Sequence, residues 1–243
     1  MQFFPIHRKK IFICWSAKAG CTHLKSLSHY LKTGEKNFAP HALFKDKYRG
    51  QGGVGDLIKN IKNKGEYTVI AVCRNPYERL VSGFCEKYLN GQFTYRWRGP
   101  LTFRKFVKSL VNKDWVQIDK VHFQPQFPTL DQWYKIEKNT RKIILWDLSS
   151  IDYEYLASFF PALAPDPKML KNWYRGRHTS KRDQLPTWEG GKVCDLEGNS
   201  YINNHVLYQD FYDPEIIALV DKFFKRDFEI PKRYNISYQI KES

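Results

Sequence analysis

The chain has 243 residues, of which 42% are hydrophobic and 16% aromatic; this is typical of a globular protein and excludes a disordered or fibrous one. The formal net charge of +15 favours anionic partners: nucleic acid, anionic lipid, acidic glycans or anionic nucleotides. The length suits a single large domain, 1–243, with room for a substantial core.

Cysteine usage and the amino terminus bear on the cellular compartment. The five cysteines are scattered and form no CxxC pair, so we expect reduced thiols and no zinc site. The first ten residues contain no apolar segment long enough for a signal peptide or a membrane anchor. We therefore expect a cytoplasmic protein, or else a trimmed lumenal catalytic domain, with no membrane segment in this chain.

The first regular elements are predicted in the segment 10–25. Ile11–Trp15 is an apolar run of good β-formers, which predicts a short buried strand. Small residues follow it, and a helix is expected over about 21–31. The chain therefore begins with a strand, a tight turn and a helix.

The turn itself has the composition of an anion-binding loop. Ala19 and Gly20 leave the backbone open to close approach, and Gly20 suits a positive φ. From Cys21 the helix would present free N–H groups at its positive dipole end. Lys18 adds a charge and Thr22 a hydroxyl, so the turn predicts a site for a phosphate-like group. The alternative is an ordinary connection with a solvated lysine.

The next segments alternate between helix and strand patterns. A basic, irregular stretch over 32–53 predicts either one wall of an acceptor cleft or a solvated loop. A short amphipathic helix over 54–64 precedes the continuous apolar run 67–73, which is typical of a strand covered on both faces. Asn75 and Pro76 then form a good helix start. An apolar stripe follows at helical spacing: Tyr77, Leu80, Val81, Phe84 and Tyr88.

The rest of the chain adds helices and one more strand. Helices are predicted over 101–111 and 148–160, a third buried strand over 141–146, and a long irregular segment over 161–205. A final helix starts near Asp213. Strands separated by helices predict an α/β domain with a central, mainly parallel sheet flanked by helices.

A second candidate binding element follows the second strand. Arg74 would stand at the carboxyl end of that strand, where open α/β sheets bind ligands. A guanidinium there can grip a phosphate through two N–H groups. Ser82 lies two helical turns further on and can add a hydroxyl. The alternatives are an arginine paired with a structural carboxylate and a surface serine.

Both elements resemble those of one enzyme family. The segment Lys18-Ala19-Gly20-Cys21-Thr22 resembles the 5′-phosphosulfate-binding loop of sulfotransferases, particularly the Golgi carbohydrate family that includes chondroitin, dermatan and HNK-1 sulfotransferases. Here Ser-Ala precedes the lysine where Ile-Pro is usual. The string RNPYERLVSG, 74–83, is similar to the same family's 3′-phosphate-binding motif almost letter for letter.

The resemblance implies a P-loop-like fold and transfer of a sulfuryl group from 3′-phosphoadenosine 5′-phosphosulfate (PAPS) to a carbohydrate hydroxyl, or less favourably an amine. The resemblance places Lys18 near the bridging oxygen of the donor. It also implies that Arg74 and Ser82 bind the 3′-phosphate. The loop amides and side chains of 18–23, including His23, would surround the 5′-phosphosulfate. Elements within 10–90 would then bind the nucleotide, and those of 91–243 would serve the acceptor and the carboxyl-terminal part.

Two further segments are less closely similar to segments of the same family. The segment HFQPQ, 122–126, is similar to the family's His-Trp-x-Pro-Gln, with Phe123 in place of Trp. The resemblance to the uronyl 2-O-sulfotransferase branch implies that His122 is the general base, a role that suits an imidazole at neutral pH. The alternative is a packing or loop histidine. Ser180 and Lys181 fall where the family has a polar segment that folds over the nucleotide.

Two other functions compete with this interpretation. A P-loop-like kinase would need a carboxylate at a strand end and a magnesium ion, whereas the second strand ends in Cys73 and Arg74. A basic polyanion-binding module would account for the charge, but its basic residues are dispersed. We therefore expect no metal and no nucleic-acid partner. We expect instead a carbohydrate or glycan acceptor, for which the basic charge of the chain favours an anionic one, with 3′,5′-ADP as the nucleotide product.

Overall fold

The computed structural model describes residues 1–35, 39, 41–42, 44, 53–62, 66–89, 101–163, 166–171, 185–201 and 203–240. Its strands are β1 Gln2–Ile6, β2 Ile11–Trp15, β3 Thr68–Cys73 and β4 Lys142–Asp147. Its α-helices are α1 Cys21–Thr33, α2 Val54–Lys62, α3 Pro76–Phe84, α4 Phe103–Val111, α5 Lys120–Phe123, α6 Leu130–Asn139, α7 Tyr153–Ser158, α8 Pro167–Lys171, α9 Pro214–Phe223 and α10 Lys225–Lys232. Short 3₁₀ helices span His7–Lys9, Leu148–Ser150, Gly198–Ser200 and Tyr208–Phe211, and a π-helical turn spans Cys85–Leu89.

The chain packs into two compact units. The first comprises Met1–Arg74 and Gln126–Gly176, and the second comprises Asn75–Pro125 and Arg177–Ser243. The sheet belongs to the first unit, whereas α3, α4, α5, α9 and α10 belong to the second. The expectation of one domain over 1–243 stays a prediction.

The sheet has four strands in the order β1-β2-β3-β4 among the described residues. Strands β2, β3 and β4 are parallel, and β1 pairs antiparallel with β2. Every residue of β2 and β3 is buried, as their continuous apolar runs predicted. The predicted α/β class with a mainly parallel sheet is confirmed.

Both edges of the sheet differ from the expectation. Strand β1 was not predicted; it carries Pro5, which lacks a backbone donor and is tolerated on an edge strand. Strand β4 was expected to be buried, but only Leu145 is fully so, because β4 forms the other edge. Its apolar side chains are half-covered, as an edge position allows.

Helices of the first unit pack against the sheet and form an apolar core with it. This core joins β-strand residues such as Ile13 and Trp15 to Leu24 and Leu27 of α1 and to Leu156 of α7. The single helix predicted over 148–160 is wrong. The backbone instead forms a 3₁₀ turn and then α7, because Asp147 and Asp152 each cap a separate helix start. Helix α6, which was not predicted, begins at a capping box of Thr129 and Gln132.

The second unit is built around aromatic rings. Asn75 caps α3 by accepting from the Tyr77 N–H at 3.0 Å, and Pro76 occupies the first helical position, as predicted. The whole predicted stripe of α3 and the π-helical turn is buried. It packs with rings from α4 and from the segment before α9, among them Phe103, Phe106, Phe211 and Tyr212.

Some predictions fall outside the described residues. They concern most of the basic stretch 32–53 and the nucleotide-covering residues Ser180 and Lys181. In the part of the chain that is described, no helix combines the length and apolarity needed to cross a bilayer.

Candidate anion-binding loop and histidine segment

The turn between β2 and α1 has the backbone geometry that the sequence predicted. Gly20 has φ +70° and stands immediately before α1. A Cβ atom at Gly20 would lie 2.5 Å from Cδ1 of Leu148, so the positive φ favours glycine and a side chain there would force Leu148 to move. Lys18 also has a positive φ, +65°, which is uncommon for a residue with a side chain. The loop is therefore held in a specific, compact shape.

The start of α1 suits an anion electrostatically. Gly20 provides no capping side chain, and the first turn of α1 carries no acidic residue. The first N–H groups of a helix have no intrahelical acceptor and lie at its positive dipole end. With Lys18 in the same turn, this end of α1 favours a phosphate or sulfate group.

Arg74 lies beside this loop within the first unit. It follows β3, the strand parallel to β2, and its Nη1 donates to the carbonyl oxygen of Lys18 at 3.3 Å. The structure thus brings together Lys18 and Arg74, the two charged residues that the sequence placed after two separate strands. Their roles toward a nucleotide stay predictions.

Gln126 is a part of this site that sequence reasoning missed. Its side chain is 1% exposed. Its Oε1 accepts from the backbone N–H of Arg74 at 2.9 Å, and its Nε2 donates to the Arg74 carbonyl at 2.7 Å. Ser16, at the start of the loop, also donates to Oε1 at 3.4 Å. One amide therefore links the ends of β2 and β3. The similarity of HFQPQ to the family segment was the available signal.

Thr22 and His23, at the start of α1, each contact another side chain. The Thr22 hydroxyl lies 2.9 Å from Nε2 of His41, whose Nδ1 lies 3.3 Å from the Lys25 ammonium. Burial lowers the pKa of Lys25, an effect partly offset by Cys21. His23 Nε2 lies 3.2 Å from the Tyr153 hydroxyl. His41 had no sequence signal, and only the fold brings it to the loop.

The second unit holds the other predicted residues that the structure describes. Ser82 is half-buried on α3. Asp119 caps α5 by accepting from the Val121 N–H at 3.1 Å, and its other oxygen lies 2.6 Å from Nδ1 of His122. A carboxylate at that distance accepts from Nδ1–H and so selects the tautomer with its lone pair on Nε2. This tautomer is the one a general base needs.

One group of side chains has the composition of a metal site. Among the described residues, Cys194, Asp195 and Asp213 bring three potential ligands together. Arg104 binds both carboxylates, with its Nε 2.6 Å from Asp195 Oδ1. The hydrogen bond from Arg104 lowers the pKa of Asp195, whereas burial raises that of the Cys194 thiol. Because Arg104 pairs with both carboxylates, we interpret this group as an ion-pair network.

A carboxylate also follows a strand, contrary to the expectation behind the metal-free prediction. Asp147 ends β4, in register with Cys73 of β3. Its Oδ1 accepts from the Ser149 N–H at 2.8 Å and from the Ser149 hydroxyl at 2.5 Å, so it caps the following 3₁₀ turn. The sequence disfavours a kinase only at the second strand, which ends in Cys73 and Arg74; β4 does end in a carboxylate, although that carboxylate caps the following turn.

A parallel sheet with a glycine turn, an uncapped helix start and a strand-end arginine is typical of α/β proteins that bind anionic groups. The family model described as the sulfotransferase family matches residues 1–145. The chain belongs to the sulfotransferase family and is thus an enzyme of sulfuryl transfer, with a fold consistent with the P-loop-like class. The matched part includes the loop, Arg74 and His122. Comparisons with curated proteins and with solved structures returned no match.

Proposed function

We propose that this sulfotransferase moves the sulfuryl group of PAPS to a hydroxyl, or less favourably an amine, of a carbohydrate acceptor. The observation that carries the proposal is the contact between the Arg74 guanidinium and the Lys18 carbonyl. It joins the two motifs that resemble those of the Golgi carbohydrate sulfotransferases. The net charge of +15 favours an anionic glycan as the acceptor.

The loop fits the phosphosulfate end of such a donor. The shape of the loop depends on Gly20, where a Cβ would collide with Leu148. The start of α1 also offers backbone N–H groups to a ligand, since the residue before the helix provides no side-chain cap. The residues we assign to the donor are Lys18, Ala19, Gly20, Cys21, Thr22 and His23 for the 5′-phosphosulfate, Arg74 and Ser82 for the 3′-phosphate, and Ser180 and Lys181 as a covering segment.

The chemistry assigned to the chain's own residues is proton removal and charge neutralisation. The donor supplies an activated sulfuryl group and leaves as 3′,5′-ADP. His122 takes the acceptor's hydroxyl proton on Nε2, while Asp119 accepts from Nδ1–H and stabilises the imidazolium. The acceptor oxygen forms a bond to sulfur as the bond from sulfur to the phosphate oxygen breaks. Lys18 neutralises the negative charge that remains on that phosphate oxygen.

We also propose a reducing, cytoplasmic location. All five cysteines lie among the described residues, and no disulfide joins any of them. Burial raises the pKa of the Cys14 thiol to about 12, which keeps it protonated and unreactive. Cys14, Cys73, Cys85 and Cys194 are buried, as expected of packing residues in a reducing compartment.

Calorimetric titration with 3′,5′-ADP and with AMP tests the donor assignment. The wild type should bind 3′,5′-ADP much more tightly than AMP, which lacks the 3′-phosphate. Arg74→Ala should lose about ten- to hundredfold in affinity for 3′,5′-ADP, because a charge-assisted contact is worth roughly 1.5–3 kcal/mol. Arg8→Ala, an exposed arginine of the same unit, is the matched control. Equal binding by Arg74→Ala and the control would refute the assignment.

Transfer of radiolabelled sulfate tests the acceptor. A panel of desulfated polysaccharides, both anionic and neutral, should include at least one that gains label from labelled PAPS. Label passing only to small phenols or amines would refute the carbohydrate acceptor and leave the donor assignment intact.

A further inference from the structure

Arg79 lies in the interior of the second unit, although it is charged. Its side chain is 2% exposed on α3. Its Nη1 donates to the carbonyl oxygen of His122 at 3.1 Å, and its Nη2 donates to that of Gln124 at 2.9 Å. A planar guanidinium fixes two acceptors at a set spacing, which an ammonium group does not. Arg79 therefore holds the backbone on both sides of Phe123.

The buried charge of Arg79 has a compensating partner. Asp227 of α10 is fully buried, and its Oδ2 lies 3.7 Å from Nη2 of Arg79. The ring of Phe224 lies 5.2 Å from the guanidinium carbon. Burying a guanidinium without an anion is energetically unfavourable. Asp227 thus offsets part of the cost of burying the Arg79 charge.

Tyr88 holds the other end of the histidine segment. It is fully buried in the π-helical turn that continues α3, a wider geometry that is frequent at functional sites. Its hydroxyl donates to the Gln117 carbonyl at 3.0 Å and accepts from the Asp119 N–H at 3.0 Å. Asp119 is the residue whose carboxylate meets His122.

Packing brings the segment close to α3. Phe123 is 1% exposed, and its ring centroid lies 4.9 Å from that of Phe106 and 5.8 Å from that of Tyr88. A Cβ at Gly83 would lie 2.6 Å from the Phe123 ring, so a larger residue there would force the ring to shift. The contacts of Phe123, Arg79 and Tyr88 together fix the residues on either side of His122.

We propose that Arg79 and Tyr88 are positioning residues that hold the Asp119–His122 pair in the geometry of a general base; this inference rests on the proposed function of His122. Neither residue needs to touch substrate. Arg79 fixes the backbone at His122, and Tyr88 fixes the backbone at Asp119. Both act on the rate of the chemical step through the imidazole alone.

A double-mutant cycle tests this. Arg79→Lys keeps a charge beside Asp227 but loses the paired donors, and Tyr88→Phe removes only the hydroxyl. Each should lower kcat by about ten- to hundredfold, because small misplacements of a reacting group are costly. The affinity for 3′,5′-ADP should change by less than about twofold. In a His122→Ala background the same substitutions should leave kcat nearly unchanged, since the group through which they act is gone.

Nitrogen-15 NMR of the histidine rings gives a readout that needs no activity. The His122 signal, assigned by its loss in His122→Ala, should show one tautomer in the wild type and a mixture in Arg79→Lys and Tyr88→Phe. Tyr77→Phe is the matched control, since it removes a hydroxyl from the same helix that donates to Asp221. It should change neither kcat nor the His122 signal.

The outcomes separate this inference from the proposed function. A His122→Ala variant with normal kcat would refute the general base, and the NMR signal would then decide the positioning role by itself. Equal losses of kcat in both backgrounds would show a merely structural role and overturn the inference. If Arg79→Lys does not fold, Tyr88→Phe decides: normal kcat with an unchanged His122 signal overturns the inference.

Discussion

The side-chain amide of Gln126 pairs with the backbone of Arg74 through both of its polar atoms, at 2.9 Å and 2.7 Å. This is the pattern of a strand partner, supplied by a side chain from 52 residues further along the chain. The chain leaves the first unit after Arg74 and re-enters it at Gln126. The pairing therefore fixes the strand end from which the Arg74 guanidinium extends to the loop.

Gln126→Glu should weaken this pairing at almost constant size. The Arg74 carbonyl loses its donor and a buried carboxylate appears, so the free energy of unfolding should fall by about 1–3 kcal/mol. Urea denaturation measures this, and calorimetry should show weaker binding of 3′,5′-ADP. Gln132→Glu is the control, because a glutamate serves equally well in the capping box of α6. Unchanged nucleotide affinity in Gln126→Glu would contradict a positioning role for this amide.

Lys18→Met should lower kcat by about 10²–10³, the usual cost of removing one electrostatic donor from a developing anion. Lys10→Met is a matched control, since Lys10 precedes β2 as Lys18 follows it and also has a positive φ, +53°. Lys10 pairs with Glu66 at the surface, where ion pairs contribute little. Steady-state kinetics should therefore separate the two variants, and similar kcat values would remove Lys18 from the chemical step.

His122→Ala should lower kcat by about 10²–10⁴, the contribution of a general base, with nucleotide affinity within about twofold. Asp119→Asn should also lower kcat. An asparagine still caps α5, but its amide no longer selects the Nδ1–H tautomer. His205→Ala is the control in the same unit. If His122→Ala kept more than about a tenth of the wild-type kcat, the base would have to be another residue.

Turnover should be insensitive to metal removal. Arg104 already binds the carboxylates of the Cys194, Asp195 and Asp213 group, and Asp147 is engaged by Ser149. In the proposed mechanism Lys18 neutralises the charge on the departing phosphate oxygen, so that step needs no metal ion. Assays with and without EDTA should therefore give the same kcat. A loss in EDTA that magnesium restores would contradict this and point to Asp147 first.

The Arg104 network predicts a pH-dependent stability. The hydrogen bond from Arg104 lowers the pKa of Asp195. For Asp213, burial raises the pKa, but bonds from Arg104 and the Ile216 N–H outweigh it and lower the pKa. Depressed carboxyl pKa values stabilise the fold above about pH 4 and stop doing so as pH falls through the folded values.

Arg104→Met should therefore lower the Tm at pH 7, and its difference from wild type should shrink as the pH falls below about 4. Thermal unfolding followed by circular dichroism at both pH values measures this. Lys135→Met, which breaks an exposed pair with Asp131, is the control and should change the Tm little at either pH. A difference for Arg104→Met that persists at low pH would indicate lost packing instead of lost charge.

The sequence by itself determined the local features of this protein. Strand β2, the positive φ of Gly20, the Asn75–Pro76 helix start and the buried stripe of α3 follow from residue types and periodicities within a few positions. It also placed Lys18 and Arg74 after two separate strands. These features depend on backbone sterics and on hydrophobic alternation, which act between residues close in sequence.

Only the tertiary structure decided which distant side chains serve those features. Gln126 pairs with Arg74, Arg79 holds the His122 carbonyl from 43 residues away, and His41 meets Thr22. The tertiary structure also places β4 at one edge of the sheet and β1 at the other. No local periodicity encodes such pairs, because buried polar groups select partners by the geometry of the folded backbone and not by spacing along the chain.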